Sequence, residues 1–348
     1  MKVVIDEKIP YLKEMLSGMG CDVKAMSGSA ITGQDVSDAV ALFVRTRTKC
    51  VQELLDGSVV RFIGTATIGY DHIDTAYCDA KGIEWHNAAG CNAGAVLQYV
   101  QSVVYSWARD RQVDVKGLVL GVVGVGNIGT KVAGWARSVG MTVLLNDPPR
   151  ASRGEAGLVS LEEIALSCDI VTFHPSLEVN GDFPSYHLAD SAFFAALKRC
   201  RLLINASRGE IFDNVALYDA VCSGLSCDVV LDVWENEPQI HLPLLNKVYM
   251  GTPHIAGYSA EGKANASRMV VDAFSTFMKY EKKLPQIVLP PPAGRRLVAG
   301  SMPEALLKIY SPAVDSDALK CSPDRFEELR NNYSLRREPS GYEIVICE

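Results

Sequence analysis

The stretch Leu118–Ala133, LVLGVVGVGNIGTKVA, decides how the rest of the chain is read. Its opening residues are apolar or glycine and rich in valine, the texture of a strand buried on both faces, and its last residues begin a helical pattern. Between them Gly124, Gly126 and Gly129 stand in the spacing G-x-G-x-x-G. The first glycine permits a tight turn, the second lets backbone approach a pyrophosphate, and the third lets a helix pack closely on a strand. Free N–H groups and the positive dipole end of the helix then face the phosphates. The spacing alone is a weak signal; the strand before it and the helix after it make it specific.

Asp147 ends the next strand pattern, TVLLND. A carboxylate there accepts hydrogen bonds from a ribose and repels a 2′-phosphate, so NAD is the expected cofactor. Arg150 would favour NADP, but the turn-forming DPP before it holds it back. Asn127 and Ile128 inside the turn, and Pro175, Ala206, Ser207 and Arg208 after later strands, are further expected cofactor contacts. Pro175 brings no backbone donor.

Working outward, the strand patterns DIVTFH, RLLINAS, VVLDVW and the short VYMGTPH complete one parallel series, while KVVI (2–5), VALFV (40–44) and VRFI (60–63) form another nearer the N-terminus. Both alternate with helical patterns, as βαβ units do. Long helical patterns at 93–110 and 260–280 bracket the second series, so the chain is expected to leave one domain, build another and return. The expected class is α/β: two Rossmann-like or flavodoxin-like doubly wound parallel-sheet domains with a cleft. Residues 1–92 and 256–281 would form a substrate domain and 93–255 an NAD-binding domain. After them PQIVLPPPAGRR is rich in proline and marks a linker. The rest of 282–348 (EALLKIY, PDRFEELRNNY, YEIVICE) reads as a small α+β unit too poor in apolar residues to stand alone. A homodimer formed through this C-terminal unit is therefore expected.

Composition bounds the function. The 348 residues are 48% hydrophobic, enough for two cores, and carry a net charge of −7 without a basic face, which argues against a nucleic-acid partner. No apolar run approaches bilayer length and the start MKVVIDEKIP lacks an apolar signal region, so a cytoplasmic protein with no membrane role is expected. The ten cysteines are scattered without CxxC pairs or neighbouring histidines, so no metal site is expected.

Catalytic residue types gather at the ends of the later strands: Arg208 in INASRGE, Asp232 in LDVW, Glu237 in ENEP and His254 in TPHIAGYS. Open α/β sheets bind ligands at the carboxyl ends of their strands, which directs all four to the nicotinamide. His254 by itself would be an ordinary structural histidine. With these partners it suits the base that takes a hydroxyl proton, Arg208 the fork that holds a neighbouring carboxylate, and Glu237 the group that orients the imidazole. The competing reading makes Arg208 and Glu237 a surface ion pair and His254 a cap.

GVVGVGNIG, NASRGEIFD, LDVWENEP and TPHIAGYS, in this order and between the bracketing helices, resemble the D-isomer-specific 2-hydroxyacid dehydrogenases over residues 1–280. The resemblance implies an NAD-dependent enzyme with a split N-terminal domain and Arg208, Glu237 and His254 as its catalytic trio. VIDEKIPY, ALFVRTRTK, GTATIGYDHID, GCNAGAVLQYV and the tail FEELRNNYSLRRE resemble one branch of that family, whose substrate is a phosphorylated 2-hydroxy acid. That branch implies Thr46, Thr67 and Tyr258 at the substrate and Asp147, Asp232 and Gly257 at the cofactor. From the residues themselves, the cluster Arg45, Arg47 and Lys49 could receive the phosphate, with hydroxyl donors at Thr46 and Thr67. A related phospho-acid dehydrogenase acting on 3-phosphoglycerate, and a regulatory NAD sensor without turnover, are the alternatives.

Overall fold

The computed structural model describes residues 1–347 and divides them into two units, Met1–Asn92 with Ser259–Pro291, and Ala93–Tyr258 with the chain from Pro292 onward. In the first unit β1 (Lys2–Asp6), β2 (Asp22–Met26), β3 (Ala41–Val44), β4 (Phe62–Thr65) and β5 (Glu84–Asn87) form a parallel sheet in the order β2-β1-β3-β4-β5. The three expected runs are its buried centre. β2 and β5 escaped the sequence reading because DVKAM and EWHN lie at the edges, partly exposed, where no continuous apolar run is needed. The helix Ala260–Phe277 covers the sheet by setting Phe274 against Phe43 and Phe62, with ring centroids 5.3 and 5.1 Å away.

The second unit holds β6 (Val119–Val123), β7 (Thr142–Asn146), β8 (Ile170–Phe173), β9 (Leu202–Asn205), β10 (Asp228–Leu231) and β11 (Met250–Gly251), all parallel, in the order β11-β10-β9-β8-β6-β7. The winding reverses between β6 and β8, which opens a crevice at their carboxyl ends. Beyond β7 a single parallel bridge, Leu145 to Leu158, stands where a mononucleotide-binding half carries its third strand. The helix Ala93–Arg111 buries Tyr99, Val103 and Trp107 in the core of this unit.

The C-terminal segment belongs to the same unit. Its strands β12 (Arg296–Ala299) and β13 (Glu343–Ile346) pair in parallel as a two-stranded sheet. β12 begins inside the expected linker, where the prolines before it hid the signal. The helices Met302–Ile309, Pro312–Cys321 and Phe326–Asn331 give Leu306, Leu319 and Phe326 to the two hydrophobic clusters that flank the six-stranded sheet. They also finish the short edge strand β11: the Gly251 N–H donates to Ser316 Oγ at 3.1 Å, and the Lys320 ammonium donates to the carbonyls of Val248 and Tyr249 at 2.7 and 3.2 Å.

The depth of this docking predicts a cost for Phe326→Ala. The ring is 1% exposed, and deleting a buried aromatic costs about 3–5 kcal/mol. The denaturant midpoint of the second unit, followed by tryptophan fluorescence, should fall accordingly; an unchanged midpoint would mean that the segment adds nothing to the core.

Candidate active site

The glycine turn after β6 is built by close approach. Gly124 has φ +85°, and a Cβ there would lie 2.5 Å from the nitrogen of Pro175, so the loops after β6 and β8 meet only because it is glycine. A Cβ on Gly129 would lie 2.0 Å from the Gly124 carbonyl oxygen. At Gly126 the reverse holds: a Cβ would meet nothing within 4 Å, so the backbone faces open space. Gly126 precedes the helix Asn127–Ser138 without a side-chain cap. The crevice it faces, about 570 Å³, is lined by Gly124, Gly126, Asp147, Arg150, His174 and Pro175 among others.

Asp147 accepts from the Val125 N–H at 2.8 Å and the Arg150 N–H at 3.0 Å, tying the glycine turn to the end of β7. Arg150 is itself occupied. Two of its nitrogens donate to Glu155 at 2.6 Å each, and the third reaches the Val125 carbonyl. Its fork is thus committed within the protein, which removes the feature that would have favoured a 2′-phosphate. His174 is buried beside this turn; Nε2 meets Thr172 Oγ1 at 3.0 Å and Nδ1 has no partner among the described residues. Burial alone pushes the imidazole down to about 3, so it is neutral.

Three neighbouring strand ends carry the other polar groups. After β9, Asn205 Oδ1 accepts from the N–H and hydroxyl of Ser207 at 3.1 and 2.7 Å, and its amide donates to the Arg208 carbonyl at 2.9 Å. These bonds shape the turn Ala206–Ser207–Arg208. Arg208 is partly exposed, donates to the Ser207 carbonyl at 2.8 Å and forms no ion pair among the described residues. A Cβ on Gly209 would lie 2.0 Å from the Trp234 carbonyl carbon, so this turn and the one after β10 touch through backbone.

After β10, Glu237 accepts from the Trp234 N–H at 3.0 Å and from His254 Nδ1 at 2.8 Å. The expected alternative, an Arg208–Glu237 pair, does not form. Burial raises the carboxyl of Glu237, but the hydrogen bond and charge of His254, the Trp234 amide and the charge of Arg330 outweigh it, and the group titrates below its ordinary value. Because the carboxylate holds no proton, the proton between the two sits on Nδ1, which leaves Nε2 as the ring nitrogen for the lone pair of the neutral imidazole.

His254 follows β11 with φ +56°, in the left-handed region that few side chains adopt. Asp232 holds it there. The Asp232 carbonyl accepts from the His254 N–H at 2.7 Å, and its buried carboxylate accepts from Thr252 Oγ1, the Ile255 N–H and the Ala256 N–H at 2.7, 2.8 and 2.9 Å. Gly257 comes next and is partly buried. Tyr258 packs edge-on against Tyr333, with centroids 6.1 Å apart.

In the first unit, Arg45 follows β3 and donates to buried Asp6 at 2.9 and 3.4 Å; Thr46, Arg47 and Lys49 are exposed on the same turn. Thr67 follows β4. Its hydroxyl donates to the Gly69 carbonyl at 2.8 Å and meets Thr65 Oγ1 at 2.6 Å, while His72 Nε2 meets Thr65 Oγ1 at 2.9 Å. With that proton committed, Thr67 offers an incoming ligand an acceptor.

Residues 93–256 match the family described as D-isomer specific 2-hydroxyacid dehydrogenase, NAD binding domain. Erythronate-4-phosphate dehydrogenase of Bacteroides fragilis is 49% identical over 100% of both chains. The chain belongs to the erythronate-4-phosphate dehydrogenase family. The enzyme of that name from Citrobacter koseri is 41% identical over 100% of this chain and 94% of its own. Among solved structures, D-lactate dehydrogenase from Aquifex aeolicus, complexed with NAD and lactic acid, shares the fold with a TM-score of 0.60 at 23% identity, covering 80% of this chain and 96% of its own. A glyoxylate reductase from Paecilomyes thermophila gives a TM-score of 0.64 at 24% identity, covering 82% and 98%. As an erythronate-4-phosphate dehydrogenase family member the protein is an NAD-dependent oxidoreductase.

What the sequence reading missed lies in the C-terminal segment. Arg330 Nη1 donates to Glu237 Oε2 at 3.3 Å. Arg336 is 9% exposed and donates to the carbonyls of Ile255 and Ala95 at 3.0 and 3.1 Å, reaches that of Ala256, and takes Gln98 Oε1 at 3.1 Å. Nothing in RNNYSLRRE marks which arginine turns inward, because a long charged side chain in a polar stretch looks solvated until its neighbours are known.

His174 yields a prediction about pH. The unfolded chain takes up its proton near 6.5 and the folded one only near 3, so burial of this ring costs stability increasingly as pH falls through that interval. Above 6.5 both states are neutral and the cost vanishes. In His174→Asn the loss of stability between pH 7 and pH 5 should be smaller than in the parent by urea titration; equal losses would show that the ring is not held neutral.

Proposed function

We propose that this chain oxidises 4-phospho-D-erythronate to 2-oxo-3-hydroxy-4-phosphobutanoate with NAD, as a step of pyridoxal 5′-phosphate biosynthesis in the cytoplasm. The observation that carries the reading is the His254 Nδ1 to Glu237 hydrogen bond of 2.8 Å, made at the carboxyl ends of the sheet that bears the dinucleotide turn. A regulatory NAD sensor has no need of a base held in one tautomer.

The cofactor fits what the residues offer. Gly124, Gly126, Asn127, Ile128 and Gly129 supply the open turn and amide cluster for a pyrophosphate, Asp147 the carboxylate near a ribose, and Pro175, Ala206, Ser207 and Gly257 neighbouring backbone; Asp232 acts by holding the loop. Bound NAD supplies the hydride acceptor. Arg208, without a carboxylate partner among the described residues, receives the acid group of the substrate in two parallel hydrogen bonds and orients C2. His254 Nε2 takes the proton from the C2 hydroxyl as the hydrogen on C2 leaves with its bonding pair as hydride and C2 becomes a carbonyl, and Glu237 stabilises the imidazolium that results. We assign recognition of the phosphate and the remaining hydroxyls to Arg45, Thr46, Thr67 and Tyr258.

The test compares initial rates of NAD reduction with 4-phosphoerythronate and with 3-phosphoglycerate. The first should be turned over far faster, and His254→Ala should lower turnover at least ~10²-fold while NAD binding, read by fluorescence titration, persists. Equal rates on both acids, or near-normal turnover in the variant, would overturn the reading.

The protein is proposed to act as a homodimer through its C-terminal segment. β12 and β13 form only a two-stranded sheet, which is marginal by itself, and Val298 and Ile346 on it are 50% and 42% exposed. The register sets Val298 beside Val345 and Ile346 beside Ala299, so the two exposed side chains stand on opposite faces, and a second copy about a two-fold axis would cover one of them. Val298→Lys combined with Ile346→Lys should therefore sediment as a monomer where the parent sediments as a dimer; a dimeric variant would move the interface elsewhere.

A further inference from the structure

We infer that Arg330, delivered by the C-terminal segment, is a positioning residue of the catalytic pair that weakens the hold of Glu237 on His254. The inference rests on the proposed role of His254 as the base. Glu237 Oε2 is shared: it accepts from His254 Nδ1 at 2.8 Å and from Arg330 Nη1 at 3.3 Å, while Oε1 is taken by the Trp234 N–H.

Arg330 is placed there by the core. Its helix, Phe326–Asn331, buries Phe326 in the hydrophobic cluster that contains Trp234, the residue whose amide also holds Glu237. Cation and carboxylate are therefore anchored in one hydrophobic cluster. The other charges nearby are spoken for. Glu328, on the helix of Arg330, is bound by Arg325 at 2.6 Å. Glu235 accepts from His187 at 2.7 Å and from the Asn214 N–H at 2.8 Å, and the Asp232 carboxylate is bound to Thr252, Ile255 and Ala256. The Arg208 guanidinium donates to the Ser207 carbonyl. Arg330 is the cation in ion-pair contact with Glu237 besides His254 among the described residues.

The chemistry follows from the shared oxygen. When His254 takes the hydroxyl proton it becomes a cation beside Glu237, which favours it. Arg330 offsets part of that attraction and makes the imidazolium quicker to give up its proton afterwards. A base held by a carboxylate alone would stay protonated to higher pH, and the acidic limb of the rate profile would lie higher.

The experiment measures kcat/KM for the phosphorylated 2-hydroxy acid against pH in the full-length protein and its variants. Arg330→Gln should move the acidic limb upward by roughly half to one pH unit, the low end for a nearby charge because the guanidinium is partly exposed. Arg330→Lys, which keeps the charge, should restore the parent limb at least in part. In a Glu237→Gln background, Arg330→Gln should cause no further movement, since its effect passes through Glu237. A limb that stays in place in Arg330→Gln overturns the inference. So does a rise in KM for the acid without a moved limb, which would make Arg330 a substrate ligand, or a uniform fall in rate at every pH, which would make it structural. His254→Ala separates the two readings: turnover retained there removes the base, whereas an inactive His254→Ala with an unmoved Arg330→Gln limb removes only the role of Arg330.

Discussion

The site depends on one pair of peptides held from both sides by opposite charges. The amides of Ile255 and Ala256 donate to the buried carboxylate of Asp232, and the carbonyls of the same two residues accept from the buried guanidinium of Arg336. Each charge is satisfied by backbone dipoles, and the loop is clamped in the course that leaves His254 at positive φ. Charge-assisted hydrogen bonds contribute about 1.5–3 kcal/mol each, and loss of either charge would leave the two peptides held from one side only. Tyr99 extends the clamp into the long helix, with its hydroxyl 2.8 Å from Thr252 Oγ1.

Around this clamp the chemistry is brought together by backbone contact more than by side-chain reach. Gly209 lets the Arg208 turn lie on the carbonyl of Trp234, and the amide of that tryptophan holds Glu237. Its indole donates to the Thr252 carbonyl at 3.1 Å, two residues before His254. Trp234, 1% exposed, is thus the common support of the arginine, the carboxylate and the imidazole. The same economy shapes the cofactor side, where Gly124 admits the loop of Pro175 and Asp147 ties the turn to β7.

The C-terminal segment is built into the second unit rather than appended to it. It fills the core with Leu306, Leu319 and Phe326, satisfies the edge of β11, and sends Arg330 to Glu237 and Arg336 to the loop after His254.

Local sequence determined the parts whose physics is local. The valine-rich runs had to be buried strands, GVGNIG had to be a tight strand-to-helix turn, and His254, Glu237 and Arg208 were legible because each follows a strand whose end must face the crevice. The central strands of both sheets were readable for the same reason, and the edge strands β2 and β5 were not, since an edge tolerates polar residues. Only the tertiary structure decided which charges pair. Arg150 turned to Glu155, Arg45 to Asp6, Arg330 to Glu237 and Arg336 into the interior, choices between alternatives of equal local propensity. Apart from Arg150 and Glu155, which are neighbours in the chain, such pairing is set by the distance between segments far apart in sequence, and no pattern within one segment carries that distance.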